Sequence, residues 1–306
     1  MSPFLSIILV NYKNPDITID SVHSIAQSTF RDYQIIIIDN ESSAESVTKL
    51  TTRCPDCVII PQKENIGFAE GNNVGIQYAL QSGSEMILFL NNDTVVDKDL
   101  LKNLIETARR SSEIGVVGAK IYYFGSSGTL WYAGGRFNIR KAIAVHDGMK
   151  RKDSPEFNIE RETDFVTGCC LLTKKNVIEK IGTLDGRFFM YYEDSDFCIR
   201  ARKAGYSIIY QPRAVLHHKV SSSAEWDSPL YLYFNLRNKI LFVTKHNTMF
   251  VRIIYFPYFF YFYVRQLVRL IFKRHNLRAA RAAIIAVLDG LRRYTGKFGE
   301  GSLHKL

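Results

Sequence analysis

Four apolar runs that never alternate with polar residues constrain this chain most. Leu5–Val10, Tyr33–Ile38, Val58-Ile59-Ile60 and Met86–Leu90 read as strands covered on both faces. Helical spacing fills the gaps between them. Pro15 opens a helix that carries Ile19, Val22, Ile25 and Ala26; further helices run from about Ala44 to Leu50 and from Phe68 to Leu80. After the fourth strand, Asp97 or Asp99 caps a helix bearing Leu100, Leu101, Leu104, Ile105 and Ala108. Such alternation predicts an α/β fold with an open, mostly parallel sheet. Ligands of these sheets bind beyond the carboxyl ends of the strands. Three strand ends are polar there: Asn11, Asp39-Asn40 and Asn91-Asn92-Asp93. One such Asp is ordinarily a turn residue; three on one edge suggest a shared ligand.

The pattern changes at Ile114. Short apolar pieces alternate with glycines as far as Arg161, which predicts hairpins and loops and no further parallel units. Phe165–Leu172 reads as a buried strand, Asn176–Ile181 as a short helix ended by Gly182, and Tyr206–Tyr210 and Ala214–His218 as apolar strand segments. Between them lies an aromatic run, Phe188 to Tyr192, followed by Glu193, Asp194 and Asp196 at the start of a helix that ends at Gly205. The helix dipole favours ionised acids there, while apolar neighbours raise a carboxylate pKa. A carboxylate under both influences suits a general base. An Asp cap with a solvated acidic turn is the plainer alternative.

Charge is unevenly distributed. Of the net +10, the segment from His246 to Leu306 holds +9, with eleven Lys and Arg against two acids. The near-neutral body argues against a nucleic-acid enzyme, and the basic tail suits anionic lipid. Ile253–Val264 is almost wholly apolar and aromatic, contains Pro257 and is too short to span a bilayer. The arginines that follow at helical spacing predict an amphipathic segment lying on a membrane; a helix pair packed on the body is the alternative. The first apolar run is too short for a signal peptide and lacks a basic flank. Cys54 and Cys57 have no second pair and read as a loop with reduced thiols.

Five motifs, in order, carry a resemblance: Leu5–Tyr12, Ile38–Ser43, Asn65–Ile76, Phe89–Thr94 and the block from Gly182 to His217. Over roughly residues 3 to 245 the chain resembles the family-2 glycosyltransferases of GT-A fold, in particular their bacterial rhamnosyltransferase-like branch. The resemblance implies a Rossmann-like catalytic domain, here residues 1–227; the helical region 228–306 matches only in character, and its membrane association is expected from its own basic and aromatic composition. It implies that Asn11, Tyr12 and Asp39, with Asn40, hold the nucleoside. It also implies that the segment with Gly67, Asn72 and Asn73 faces the donor, near Asn92. Asn91-Asn92-Asp93 stands where the family has an Asp-x-Asp metal motif, with Asn91 in the first acidic position. Asp93 is then the main carboxylate on Mn²⁺ or Mg²⁺, Asn91 a weaker ligand, and His217 a further contact, with His218 beside it as the open alternative. Asp194 matches the catalytic base, Glu193 orients the acceptor, and Asp196 secures the loop or the helix start.

The expected activity is inverting transfer of a sugar, rhamnose from dTDP-rhamnose, to a lipid-linked saccharide in bacterial cell-surface polysaccharide synthesis. The expected location is cytoplasmic, peripheral on the inner face of the plasma membrane. A UDP-hexose or UDP-N-acetylhexosamine donor keeps the chemistry. A sugar nucleotidyltransferase would want a Gly-rich basic loop after the first strand, where this chain has Asn11-Tyr12-Lys13-Asn14-Pro15. A lipid-binding scaffold has no need of Asp39, Asp93 and Asp194.

Overall fold

The computed structural model describes residues 2–220 and 228–298. The chain divides into two compact units. The first holds the described residues up to Arg136, Val145–Gly186 and Glu193–Val220; the second holds Phe137–Ala144, Arg187–Tyr192 and the described residues after Val220. The expected boundary at 227/228 borders residues 221–227, which lie outside the described residues.

The strands are β1 (Leu5–Tyr12), β2 (Tyr33–Asn40), β3 (Val58–Pro61), β4 (Met86–Leu90), β5 (Thr94–Val96), β6 (Ile114–Tyr123), β7 (Leu130–Tyr132), β8 (Gly135–Asn138), β9 (Ile143–His146), β10 (Arg161–Glu162), β11 (Cys170–Lys174) and β12 (Ser207–His218). The main sheet runs β10-β12-β6-β11-β4-β1-β2-β3, with β5 on β12 and β7 on β6; β8 and β9 form a separate pair. The half made of β4, β1, β2 and β3 is parallel, as the apolar runs predict. Leu5, Ile7, Ile8, Leu9 and Ile36–Ile38 are fully buried.

The other half is mixed, which corrects the sequence reading in three places. β6 lies within the stretch expected to hold only hairpins and loops, yet it pairs in parallel with β12 and antiparallel with β11. Its partners come from about 50 and 90 residues later in the chain, a separation that local periodicity does not encode. The expected strand Phe165–Leu172 begins only at Cys170, because Gly168 and Cys169 form a turn. The two segments 206–210 and 214–218 are one strand, β12, with an irregularity between Gln211 and Val215 that accommodates Pro212.

The helices of the first unit are α1 (Pro15–Ile25), α2 (Ala44–Arg53), α3 (Gly67–Gln81), α4 (Leu100–Arg109), α5 (Lys175–Ile181) and α6 (Glu193–Lys203). Ser43 caps α2 by accepting from Ser46 N–H at 3.1 Å. α3 lies close against β1. A Cβ at Gly75 would fall 2.6 Å from Ile8 Cγ2, and one at Gly71 would fall 3.2 Å from Val10. A side chain at Gly75 would force Ile8 to shift, and one at Gly71 would press on Val10.

The second unit is helical: α7 (Pro229–His246), α8 (Met249–Val268), a π-helical turn Arg269–Lys273, and α9 (Leu277–Leu291). Ser228 and Asn276 cap α7 and α9. The alanine-rich face of α9 and Gly290 meet α7, where buried Tyr233 Oη donates to Asp289 Oδ2 at 2.7 Å. α8 buries Tyr255 and Phe259, one turn apart, whereas Phe250 is 72% exposed, and Ile253, Ile254, Tyr261 and Val264 are exposed too. Among the described residues no helix is long and apolar enough to cross a membrane.

Candidate active site

The carboxyl ends of β1, β2 and β4 lie side by side, and a chain of buried hydrogen bonds joins them. Asn11, at the end of β1, donates through Nδ2 to Asp39 Oδ1 at 2.6 Å. Its own Oδ1 accepts from Thr18 Oγ1 of α1 at 2.7 Å. Thr18 in turn accepts from Asn92 Nδ2 at 2.8 Å. The second oxygen of Asp39 accepts from Ser42 Oγ at 2.5 Å. Asn11, Thr18 and Asp39 are buried, whereas Tyr12 is exposed with Lys13 Nζ 5.1 Å from its ring centre. Asn11 therefore orients Asp39, and Tyr12 is the residue of this edge that offers a ring face to solvent.

Several expected donor contacts are bound instead to the protein's own backbone. Asn40 donates to Asn65 Oδ1 and Gly67 O and accepts from Ile66 N–H, tying down the turn into α3. Gly67 has φ +86°, which that turn requires. Asn72 donates to Phe68 O one turn back. Asn73 forms a two-way bridge with Leu184, N–H to Oδ1 at 3.0 Å and Nδ2 to O at 2.9 Å. These amides shape the walls of the site, because buried amides must be satisfied by whatever main chain lies nearest.

At the end of β4, Asn91 and Asn92 are partly exposed, and Asp93 Oδ1 lies 3.0 Å from His218 Nε2. Strand pairing explains the choice of histidine. β12 runs antiparallel to β5, which sets His218 opposite Thr94 and passes Lys219 N–H to Asp93 O at 2.8 Å. Adjacent strand residues point to opposite faces, so His217 turns away and stacks on Tyr122, ring centres 5.4 Å apart. Burial lowers the His217 pKa. Of the two histidines that the sequence left open as a further metal contact, His218 is the one that lies beside Asp93. Trp131 supports the His218 ring edge-on at 4.7 Å. Behind it His146 is kept neutral by burial, with a pKa of about 4.

Asp93 Oδ1 is buried and receives no well-formed hydrogen bond, and His218 Nδ1 also lacks a partner. Among the described residues no group of three or more His, Cys, Asp or Glu side chains converges. An orphaned carboxylate oxygen beside an imidazole fits a divalent cation with two protein ligands, the rest of its shell coming from a bound anion.

The acidic helix start connects to the end of β4 through the turn at Gly168 and Cys169. Asn91 N–H donates to Cys169 O at 2.9 Å, and Gly168 N–H, one residue back, donates to Asp194 Oδ2 at 2.8 Å. Ser195 N–H and Oγ donate to the other Asp194 oxygen at 2.5 and 3.1 Å. Asp194 remains partly exposed. Burial raises its pKa, against the pull of the Gly168 and Ser195 donors. Glu193 is 5% exposed, and its Oε2 has no hydrogen-bond partner. Burial, and then the charge of Asp194, push its pKa well above the ordinary value, which favours the neutral acid. Asp196 is fully buried against Arg200 Nε at 2.8 Å, and Arg200 also ties down Ile181 O and Thr183 O. It secures the helix start, as expected.

Sequence reasoning missed Thr18, Ser42 and Gly168, whose roles depend on contacts across 7 to 26 residues or on a turn. It also missed Arg237 and Asn238 in the second unit, both fully buried in α7. Asn238 Nδ2 lies 2.8–2.9 Å from Phe188 O, Met190 O and Tyr191 O, and Arg237 donates to Phe188 O at 2.7 Å. They hold a segment with positive φ at Phe189, Tyr191 and Tyr192. An Arg-Asn pair on a helix face otherwise made of Tyr233, Phe234, Leu236 and Ile240 was the available signal.

Sheet, strand-end carboxylates and acidic helix start define a GT-A glycosyltransferase. The family model for glycosyl transferase family 2 matches residues 6–182, and the chain belongs to that family. A low-salt glycan biosynthesis hexosyltransferase of Haloferax volcanii is 28% identical, covering 96% of this chain and 92% of its own. The dTDP-rhamnosyl transferase of Shigella flexneri is 22% identical over 86% and 87% of the two chains. The N-acetylglucosaminyl-diphospho-decaprenol L-rhamnosyltransferase of Mycobacterium tuberculosis is 24% identical over 81% and 86%. Among solved structures, a mannosyltransferase of Pyrobaculum calidifontis in complex with GDP-Man and Mn²⁺ shares the fold, with TM-score 0.60 and 11% identity over 95% of this chain and 88% of that one.

Proposed function

We propose that this protein moves rhamnose from dTDP-rhamnose, with inversion, to a saccharide carried on a lipid diphosphate. The observation that carries the reading is the connected path from Asp39 through Asn11, Thr18 and Asn92 to Asp93, and from Asn91 through Cys169 and Gly168 to Asp194. It links a nucleoside pocket, a cation site and a base within one unit. Asp39 and Tyr12 take the nucleoside, with Asn11 and Asn40 holding the pocket's shape, and the Gly67 turn, Asn72 and Asn73 form its wall. Asp93 and His218 would hold Mn²⁺ or Mg²⁺, with Asn91 and Asn92 beside them. When bound, the ion neutralises charge on the leaving diphosphate. Asp194, ionised, accepts the proton of the acceptor hydroxyl as that oxygen attacks the sugar. Glu193, neutral, can donate a hydrogen bond that orients the acceptor.

Residues 1–227 form the catalytic domain in this reading, and 228–306 hold it peripherally on the cytoplasmic face of the membrane. The rhamnosyl relatives support the donor. A hexose donor is the second reading, favoured by the Haloferax hexosyltransferase. The test is thermal stabilisation and nucleotide release across a panel of dTDP-, UDP- and GDP-sugars with Mn²⁺, because a ligand bound only to the native state raises apparent stability. dTDP-rhamnose should give the largest shift, and the anomeric proton of the product should report inversion. No response to any nucleotide sugar would overturn the proposal; a response to UDP-hexose alone would select the second reading.

A further inference from the structure

One neighbour of Asp194 takes no part in its hydrogen bonds. A Cβ placed on Gly168 would lie 3.3 Å from Phe68 Cε1, 3.6 Å from Phe68 Cζ and 3.5 Å from Asp194 Cβ. The phenyl ring and the carboxylate side chain therefore border the same glycine, whose N–H donates to Asp194 Oδ2 at 2.8 Å. Gly168 is buried, as are Gly67 and Ala69 beside Phe68, whereas Phe68 and Asp194 are half-buried. A single ring left partly in solvent is ordinary. What distinguishes this one is how it is held and what it lies beside.

Phe68 has little freedom. Gly67, just before it, donates its N–H to Asn65 Oδ1 at 2.9 Å and accepts at its carbonyl from Asn40 Nδ2 at 3.2 Å. Asn72 Nδ2 donates to the Phe68 carbonyl at 2.8 Å. One residue on, Asn73 bridges α3 to Leu184 in both directions. The backbone of Phe68 is thus joined to the Asp39-Asn40 end of β2, and its ring borders the proposed base. In a glycosyl transfer the donor sugar has to connect those two places. Its anomeric carbon is bonded to the diphosphate of the nucleotide, and it receives an acceptor oxygen, about 3–3.5 Å away before reaction, whose proton passes to the base.

We infer that Phe68 is a specificity-determining residue: its ring meets the transferred sugar and selects one that carries a methyl in place of a hydroxymethyl group. A phenyl ring offers no hydrogen-bonding atom. A hydroxyl laid against it gives up water without gaining a partner, whereas a methyl gains by leaving water. Gly168 serves the same contact, because a side chain there would press on the ring from the side of Asp194. The inference rests on the glycosyl-transfer reading and deepens it, and its test reads binding and not turnover.

The experiment separates sugar from nucleotide. The Kd values of dTDP and of dTDP-rhamnose are measured by calorimetry on the full-length protein with Mn²⁺. Phe68→Ala should weaken dTDP-rhamnose by about tenfold, the scale of one apolar group lost from a pocket, and leave dTDP unchanged. Phe68→Leu, which keeps an apolar side chain, should lose less. Unchanged dTDP binding shows that a variant is folded at its site. A second measurement needs no variant: in the wild type, saturating the aromatic protons of the protein should transfer magnetisation to the methyl protons of bound rhamnose. Equal losses for dTDP and dTDP-rhamnose would put Phe68 in the nucleotide wall and overturn the inference. Unchanged affinity for both would also overturn it, as would a methyl group that receives no saturation or a wild type that binds UDP-hexose more tightly than dTDP-rhamnose. If these outcomes fail while a nucleotide sugar still binds, the glycosyl-transfer reading stands without the inference; if the wild type binds no nucleotide sugar, both fall.

Discussion

At the scale of single residues, neighbours of like chemistry are separated by what each one touches. Asp194 keeps solvent access and three donors, Asp196 is locked to Arg200, and Glu193 is buried without a partner on Oε2. Asp194→Asn preserves shape and removes the basic site, so turnover should fall at least ~10²-fold with donor affinity nearly unchanged; the check is kcat and nucleotide-sugar Kd. Turnover should also fall as pH drops through the Asp194 pKa, which burial holds above the ordinary carboxylate value. Glu193 bears on stability with a definite sign. Its folded pKa exceeds the unfolded one, so its stabilising contribution is complete below the unfolded value and is lost as pH rises through the folded value. Glu193→Gln should therefore be more stable than the wild type at neutral pH, the gap narrowing toward pH ~4; melting curves against pH decide this. At the proposed cation site, His218→Ala should weaken Mn²⁺-dependent donor binding by about tenfold or more, whereas His217→Ala should retain it.

Elements explain why those residues stand where they do. β12 brings His218 to Asp93 only because it pairs with both β5 and β6, and its side-chain alternation then decides between two adjacent histidines. α3 lies close to β1 because Gly71 and Gly75 leave room for Val10 and Ile8. α7 supplies Asn238, whose amide reaches three carbonyls of a segment with three positive-φ residues, each costing about 1–3 kcal/mol. Asn238→Ala leaves buried carbonyls without a donor and should destabilise the protein by about 2 kcal/mol or more. Because that segment runs directly into Glu193, kcat should drop more than donor affinity. Urea unfolding and steady-state kinetics on Asn238→Ala and Asn238→Asp test both parts. Wild-type kcat in a destabilised variant would confine Asn238 to a structural role.

At the scale of the whole molecule, chemistry and surface are divided between two units. The carboxylates belong to the sheet unit, and most of the excess positive charge and the exposed aromatic helix belong to the other. Phe250 and Phe272, 72% and 70% exposed, mark an apolar surface that a protein in water alone has little reason to keep. Full-length protein should sediment with anionic vesicles at low salt, and about 0.5 M salt should release much of it, because the Debye length shrinks well below 10 Å. Phe250→Ser should weaken the association at either salt concentration. Indifference to vesicles at low salt would recast the surface as a contact between proteins.

How much was legible in the chain depends on how local each signal is. Continuous apolar runs with helical spacing between them determined the parallel half-sheet, and Asn11, Asp39 and Asp93 marked the ends of its strands, because burial on both faces and strand termination are written within a few residues. The fit of Gly71 and Gly75 against Val10 and Ile8 came only from the packing of α3 on β1. Only the tertiary structure decided that β6 joins the sheet, that His218 and not His217 meets Asp93, and that Asn40, Asn72 and Asn73 serve the backbone. Each of these depends on which distant segment arrives alongside. One residue of register reverses the face a side chain presents, and nothing in local periodicity specifies that register.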